Sequence, residues 1–210
     1  MIPRPDLYRP ATAADLIGPA ATVADAYLHE FRDNAAHGFT PPFKLLLLGA
    51  PGVGKTTTAK LLAEALVGDP MNLEHLNGTD LTIDTVRQIK GRFGMASLFG
   101  GYQGVLVDEL DRATDKAQVD LLTTLDKLPD GWFFIGTTNH GLEHFEARFQ
   151  SRFEQVSMAP PSDTEIDTLL TGRFGVPDAI AHQIATCACG NVRQALLDSK
   201  TWLTTQAIAA

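Results

Sequence analysis

Residues 49–56 read Gly49-Ala50-Pro51-Gly52-Val53-Gly54-Lys55-Thr56 and satisfy G-x-x-x-x-G-K-[ST] at every fixed position. The flanks constrain the fold further. The apolar run Leu45 to Leu48 stands immediately before the motif and the helical pattern Ala59, Leu61, Leu62, Ala65 follows it, so the chain must pass from strand through loop into helix. Glycines at these places let backbone N–H groups turn inward around phosphate oxygens. Lys55 neutralises the outer phosphates and the Thr56 hydroxyl can ligate Mg²⁺. A nucleoside triphosphate is the expected ligand.

From about residue 43 to 158, short apolar runs alternate with helical patterns, which predicts an α/β fold with a parallel sheet. Five strands are expected: Phe43–Gly49, Met71–Asn77, Gly104–Glu109, Trp132–Thr138 and Phe153–Met158. Thr22-x-x-Asp25 reads as the capped start of a helix running to about His37, stopped by Gly38 and Pro41-Pro42. After the last strand, Pro160-Pro161-Ser162-Asp163 marks a boundary. Beyond it lie three helical stretches, about 163–173, 177–187 and 190–206, which form a small helical lid. The expected domains are therefore residues 1–158, nucleotide-binding, and 159–210, the lid.

Asp108 and Glu109 end a buried strand at the edge where open parallel sheets carry their ligands. Charges there are costly unless used. Asp108 would hold Mg²⁺ together with Thr56, and Glu109 would deprotonate the attacking water as general base. At the end of the fourth strand, Asn139 can reach the γ-phosphate and fix the water, or Thr138 and Asn139 can cap the next element.

At 210 residues, with 44% hydrophobic and 20% charged side chains, the chain is an ordinary globular sequence rather than a disordered one. No apolar run near its middle approaches the roughly 20 residues of a bilayer span. The net charge of −8 argues against a surface that grips nucleic acid everywhere, so any DNA contact is local. Cys187 and Cys189 have no second cysteine pair to complete a metal site and are read as packing within the lid. With no basic-then-apolar leader, a reducing cytoplasm is the expected compartment.

Taken in order, these motifs and several weaker ones resemble the AAA+ ATPases, and among them the small subunits of clamp loaders (replication factor C and its phage counterparts). Tyr8-Arg9-Pro10 and Asp15-Leu16-Ile17-Gly18 look like the N-terminal box around adenine and ribose. Asn77-Gly78-Thr79-Asp80, Val86-Arg87, Asp108-Glu109-Leu110-Asp111-Arg112 and Ala117-Gln118 follow. Thr137-Thr138-Asn139 resembles sensor 1, Ser151-Arg152-Phe153 the Ser-Arg-Cys motif, and Gly190-Asn191-Val192-Arg193 the sensor 2 helix start.

The resemblance implies a P-loop NTPase of the AAA+ kind, an ATPase using ATP and Mg²⁺. ATP would be bound by Tyr8, Arg9, Ile17, Gly49, Pro51, Gly52, Val53, Gly54, Lys55, Thr56, Thr57, Asn139 and Arg193. The catalytic set would be Lys55, Glu109, Asn139, Arg152 and Arg193, with Arg152 acting on the ATP of a neighbouring subunit. It further implies a homo- or hetero-oligomer of AAA+ subunits, a sliding clamp and primed DNA as clients in DNA replication, and no membrane. Arg87, Lys90 and Arg92 would follow the DNA backbone by phosphate contacts alone. A plainer reading makes those three an exposed helix face and Arg152 a salt-bridged surface residue.

Two departures stand out. Leu121-Leu122-Thr123-Thr124-Leu125-Asp126 replaces a segment that in many clamp-loader subunits carries adjacent arginines. The helical collar that follows the lid in those subunits is not contained in a chain ending at Ala210. Assembly would then need another subunit, or ATP and a partner. The alternatives are another AAA+ DNA motor or helicase loader, or an ATP-switched assembly protein.

Overall fold

The computed structural model describes residues 8–94, 101–145 and 147–209; the outer limits of the two expected domains fall outside these. Strands β1 (Phe43–Leu48), β2 (Leu73–Asn77), β3 (Gln103–Asp108), β4 (Trp132–Thr138) and β5 (Glu154–Ser157) form one parallel sheet in the order β2-β3-β4-β1-β5. All five expected strands are present. Met71 and Asn72 lie outside β2, because Asp69 accepts a hydrogen bond from the Met71 N–H at 2.8 Å and Pro70 sets a single 3₁₀ turn.

The connections are α1 (Pro19–Ala36) before the sheet, α2 (Lys55–Val67), α3 (Ile83–Gly91), α4 (Asp115–Leu125) and the one-turn α5 (Ala147–Gln150). Helix α1 starts four residues earlier than a cap at Thr22 suggested. Gly18 occupies the cap position at φ 59° and Pro19 the first turn, where its fixed φ and missing N–H cost nothing, so this pair overrides the Thr22-x-x-Asp25 pattern.

Alternation along the strands divides the core. Leu45, Leu47, Leu106, Phe133 and Ile135 pack on one face with Ala24, Tyr27, Leu62 and Leu66 of α1 and α2. Leu46, Leu48, Val105, Val107 and Phe134 pack on the other with Val86, Ile89, Leu121 and Phe149 of α3, α4 and α5. Both sheet faces are thus covered, which is why the central strands read as continuous apolar runs.

Helices α6 (Asp163–Phe174), α7 (Asp178–Ala188) and α8 (Val192–Ala209) surround a third core. A reciprocal capping box starts α6: the Ser162 hydroxyl accepts from the Glu165 N–H at 3.3 Å, and the Ser162 N–H donates to the Glu165 carboxylate at 2.7 Å. The reading of both cysteines as packed is corrected: Cys187 and Cys189 are exposed. Helix α7 faces the core with Ala181, Ala185 and Ala188, a spacing that turns Cys187 outward, and Cys189 lies past the helix end at φ 47°.

Candidate nucleotide site

A cavity of about 300 Å³ lies over the N-terminus of α2, at the carboxyl edge of the sheet. Four elements wall it. The phosphate loop contributes Pro51, Gly52, Val53, Gly54, Lys55, Thr56 and Thr57, and the N-terminal segment contributes Tyr8, Arg9 and Ile17. The ends of β3 and β4 contribute Glu109, Thr137 and Asn139; the lid contributes Leu169, Val192, Arg193, Leu196 and Leu197. The cavity thus gathers every expected ATP-binding residue but Gly49, which stands just behind it and accepts a hydrogen bond from Lys55.

The loop wraps tightly. Lys55 is buried, and its Nζ donates to the carbonyls of Gly49 and Ala50, each at 2.8 Å. Burial pushes its pKa down, and the neighbouring Arg193 pushes the same way; Asp111, Glu109 and Asp108 oppose. Two cations facing one cavity repel each other, and a polyanion between them removes that cost. Gly52 admits no side chain: at φ +84° its Cβ would lie 1.9 Å from Oδ1 of Asn191. That amide side chain caps α8 by accepting from the Gln194 N–H at 3.0 Å, and the Val192 N–H donates to the Gly52 carbonyl at 3.1 Å.

The acidic pair is held from several sides. Asp108 accepts from the Thr137 hydroxyl at 3.1 Å and meets His75 Nε2 at 2.9 Å. The Glu109 backbone N–H donates to the same Thr137 oxygen at 3.1 Å. Glu109 itself leaves β3 at φ 53°, a conformation rare for a residue with a side chain and characteristic of functional sites. Gly78 makes room for it: a Cβ there would lie 2.0 Å from the Glu109 carbonyl oxygen. The Glu109 carboxylate pairs with Arg112 at 3.0 Å and accepts from the Asn139 amide at 3.4 Å. Asn139 therefore faces the acid, and neither it nor Thr138 caps the next element, the 3₁₀ turn Leu142–His144, which has Gly141 at its cap position; the Thr138 hydroxyl accepts from the His140 N–H at 3.1 Å within the turn after β4.

Thr56 and Asp108 offer a hydroxyl and a carboxylate, the oxygen donors Mg²⁺ prefers. Among the described residues no group of three or more His, Cys, Asp or Glu side chains could hold a metal ion. Thr56 lines the cavity and Asp108 stands beside it, bonded to the cavity residue Thr137, so these two donors suit a cation shared with phosphates.

Arg152 does not join the cavity. It precedes β5, at the opposite end of the sheet, and its guanidinium grips the Asp126 carboxylate through two bonds of 3.0 Å each. Of the basic trio, Arg92 is occupied by Glu74 and lies over Trp132 at 5.9 Å, whereas Arg87 and Lys90 stand exposed on α3, Arg87 paired with Asp84 at 3.4 Å.

Sequence reasoning missed His75, Thr137 as a bridge, Arg112, and the apolar lid residues. Thr137, Arg112 and Val192 stood inside quoted motifs without being given these roles, whereas His75 left no signal.

Residues 45–161 match the family model described as ATPase family associated with various cellular activities (AAA). The replication factor C small subunit of Natronomonas pharaonis is 30% identical over 90% of this chain, which spans 58% of that relative. The sliding-clamp-loader large subunit of Enterobacteria phage T4 is 31% identical over 75% of this chain, which spans 47% of it. Among solved structures, the P216G mutant of Thermotoga maritima RuvB superimposes with a TM-score of 0.75 at 18% identity, covering 96% of this chain and 68% of its own.

Proposed function

Because the chain belongs to the ATPase family associated with various cellular activities, we propose that it binds ATP over the phosphate loop and hydrolyses it as one subunit of a clamp-loader-type assembly in DNA replication. One observation carries the reading. Strands β3, β4 and β1 lie side by side and end together, so the loop after β1, Glu109 after β3 and Asn139 after β4 face one cavity with Lys55 and Arg193, and Asp108 stands at the end of β3 bonded to the cavity residue Thr137.

In that arrangement Lys55 and Arg193 neutralise the phosphates, and the loop N–H groups orient them. The Glu109 carboxylate, steadied by Asn139 and Arg112, accepts the proton of the attacking water. Mg²⁺, held by Thr56 and Asp108, would neutralise charge shared by the outer phosphates. Proton transfer by a positioned base contributes about 10²- to 10⁴-fold.

The place of Arg152 supports its action in trans. At the far end of the sheet it cannot serve its own cavity, and a neighbour's phosphate would have to draw it from Asp126. The names of the relatives favour a sliding clamp as client, and Arg87 and Lys90 are the exposed cations of α3 suited to a DNA backbone; Arg92 is spent within the fold. Steady-state ATP turnover, with and without primed DNA and a clamp, tests the proposal. Glu109→Gln must lower turnover at least about 100-fold while ATP still binds; turnover equal to wild type would refute the assignment.

A further inference from the structure

Beside the charged Arg9 and Asp15, the cavity carries a set of apolar residues, and these come from two distant parts of the chain. Leu169, Val192, Leu196 and Leu197 belong to the lid, and Tyr8 and Ile17 belong to the N-terminal segment. That segment has one 3₁₀ turn, Ala13–Asp15, as its only regular structure among the described residues before α1. Ala13 and Leu16 anchor it in the sheet's core, but Tyr8 and Ile17 pack instead against the lid's core. Something must hold the segment's two anchors in register.

Arg173, on the last turn of α6, meets both ends of the segment. Its guanidinium donates to Asp15 Oδ1 at 2.8 Å and lies 4.5 Å from the centre of the Tyr8 ring. The same ring stands edge-on to Phe174, at 5.7 Å and 83°. The Tyr8 hydroxyl donates to the Asp15 carbonyl, and the Asp15 carboxylate also accepts from the N–H groups of Ala11 and Thr12 at 3.1 and 3.0 Å. These contacts form a closed loop: α6 to Asp15, Asp15 to Tyr8, Tyr8 back to α6. None of them touches the phosphate loop.

We propose that Arg173 is a positioning residue of the nucleotide cavity: by clasping Asp15 and covering Tyr8 it fastens the N-terminal segment to the lid and completes the apolar wall that takes the base. The inference rests on the ATP reading given above and deepens it. It makes recognition of the base depend on the lid's attachment to the N-terminal segment, whereas recognition of the phosphates depends on the loop and Lys55. An arginine over an aromatic face together with an exposed ion pair is of the size to shift an affinity about tenfold.

Isothermal titration calorimetry with Mg²⁺-ATP and with Mg²⁺-tripolyphosphate separates the two ends of the cavity. Arg173→Met preserves most of the side chain's bulk and removes its charge. It is expected to weaken ATP about tenfold, equivalent to about 1.4 kcal/mol, and tripolyphosphate less than about twofold. A merely structural residue would weaken both ligands together, and that outcome, or no change in either, overturns the proposal. Should Arg173→Met fail to fold, Asp15→Asn removes the partner charge with its shape kept and carries the same test, with a smaller selective loss of ATP expected. Wild-type protein that binds tripolyphosphate as well as ATP overturns the clasp alone. Wild-type protein that binds neither overturns the ATP reading and the clasp with it.

Discussion

Thr137→Val exchanges one buried hydroxyl for a methyl of nearly the same shape. Thr137 is only 2% exposed, so water cannot replace what is lost. Its oxygen accepts from the Glu109 N–H and donates to Asp108, both at 3.1 Å. Valine leaves the N–H without a partner, which costs about 1–3 kcal/mol. Glu109 is held at φ 53°, a conformation that itself costs about 1–2 kcal/mol, and the bond to Thr137 is one of the contacts offsetting it. The expected loss is about 2 kcal/mol in urea unfolding of the nucleotide-free protein. Thr137→Ser keeps the hydroxyl and should stay within about 0.5 kcal/mol of wild type apart from the lost methyl. Because Thr137 orients the acids and not the loop, turnover should fall about 30-fold, the kinetic equivalent of the same energy, with ATP affinity nearly unchanged. Wild-type stability and turnover in Thr137→Val would refute the reasoning. So would a serine variant as impaired as the valine one, since shape rather than the hydroxyl would then be responsible.

Gly52→Ala forces a side chain into φ +84° and against Asn191. It should cost about 2–4 kcal/mol through backbone strain and loss of the α8 cap, and a smaller sum when combined with Asn191→Gly would locate the clash. Tyr27 donates to the Glu154 carboxylate at 2.7 Å, far from the cavity; Tyr27→Phe should lower unfolding stability by about 1–3 kcal/mol with turnover unaltered. The hydrogen bond from Arg173, with those from Ala11 and Thr12, lowers the Asp15 pKa from 3.8 to about 2. A depressed carboxylate stabilises the fold above its unfolded value and stops doing so as it protonates. The gap in melting temperature between wild type and Asp15→Asn should therefore be constant above pH 4 and narrow as pH falls from about 4 to about 2.

Much of the site could be read in advance because its parts are contiguous. A loop of eight residues, an acidic pair and a strand-end asparagine each carry their chemistry in the local sequence, and parallel strands bring their ends to one edge. The strand order is not local. His75 reaches Asp108 only because β2 pairs with β3 so that Asn77 stands beside Asp108, two residues on from His75. Arg173 and Asp15 lie far apart along the chain, and no spacing rule relates them. The cysteines were misjudged for a different reason: small alanines, and not the larger thiols, face the neighbouring helices of the lid. Thr22 and Asp25 mimic a helix start that Gly18 and Pro19 supply.

The bond between the Val192 N–H and the Gly52 carbonyl has a bearing on how the protein is made. A ribosome delivers the loop early and the start of α8 much later. Until then the nascent polypeptide carries a glycine turn without its outer support and a pocket lacking one wall. The cavity is complete only once the last lid helix has emerged and Val192, Arg193, Leu196 and Leu197 take their places in its wall.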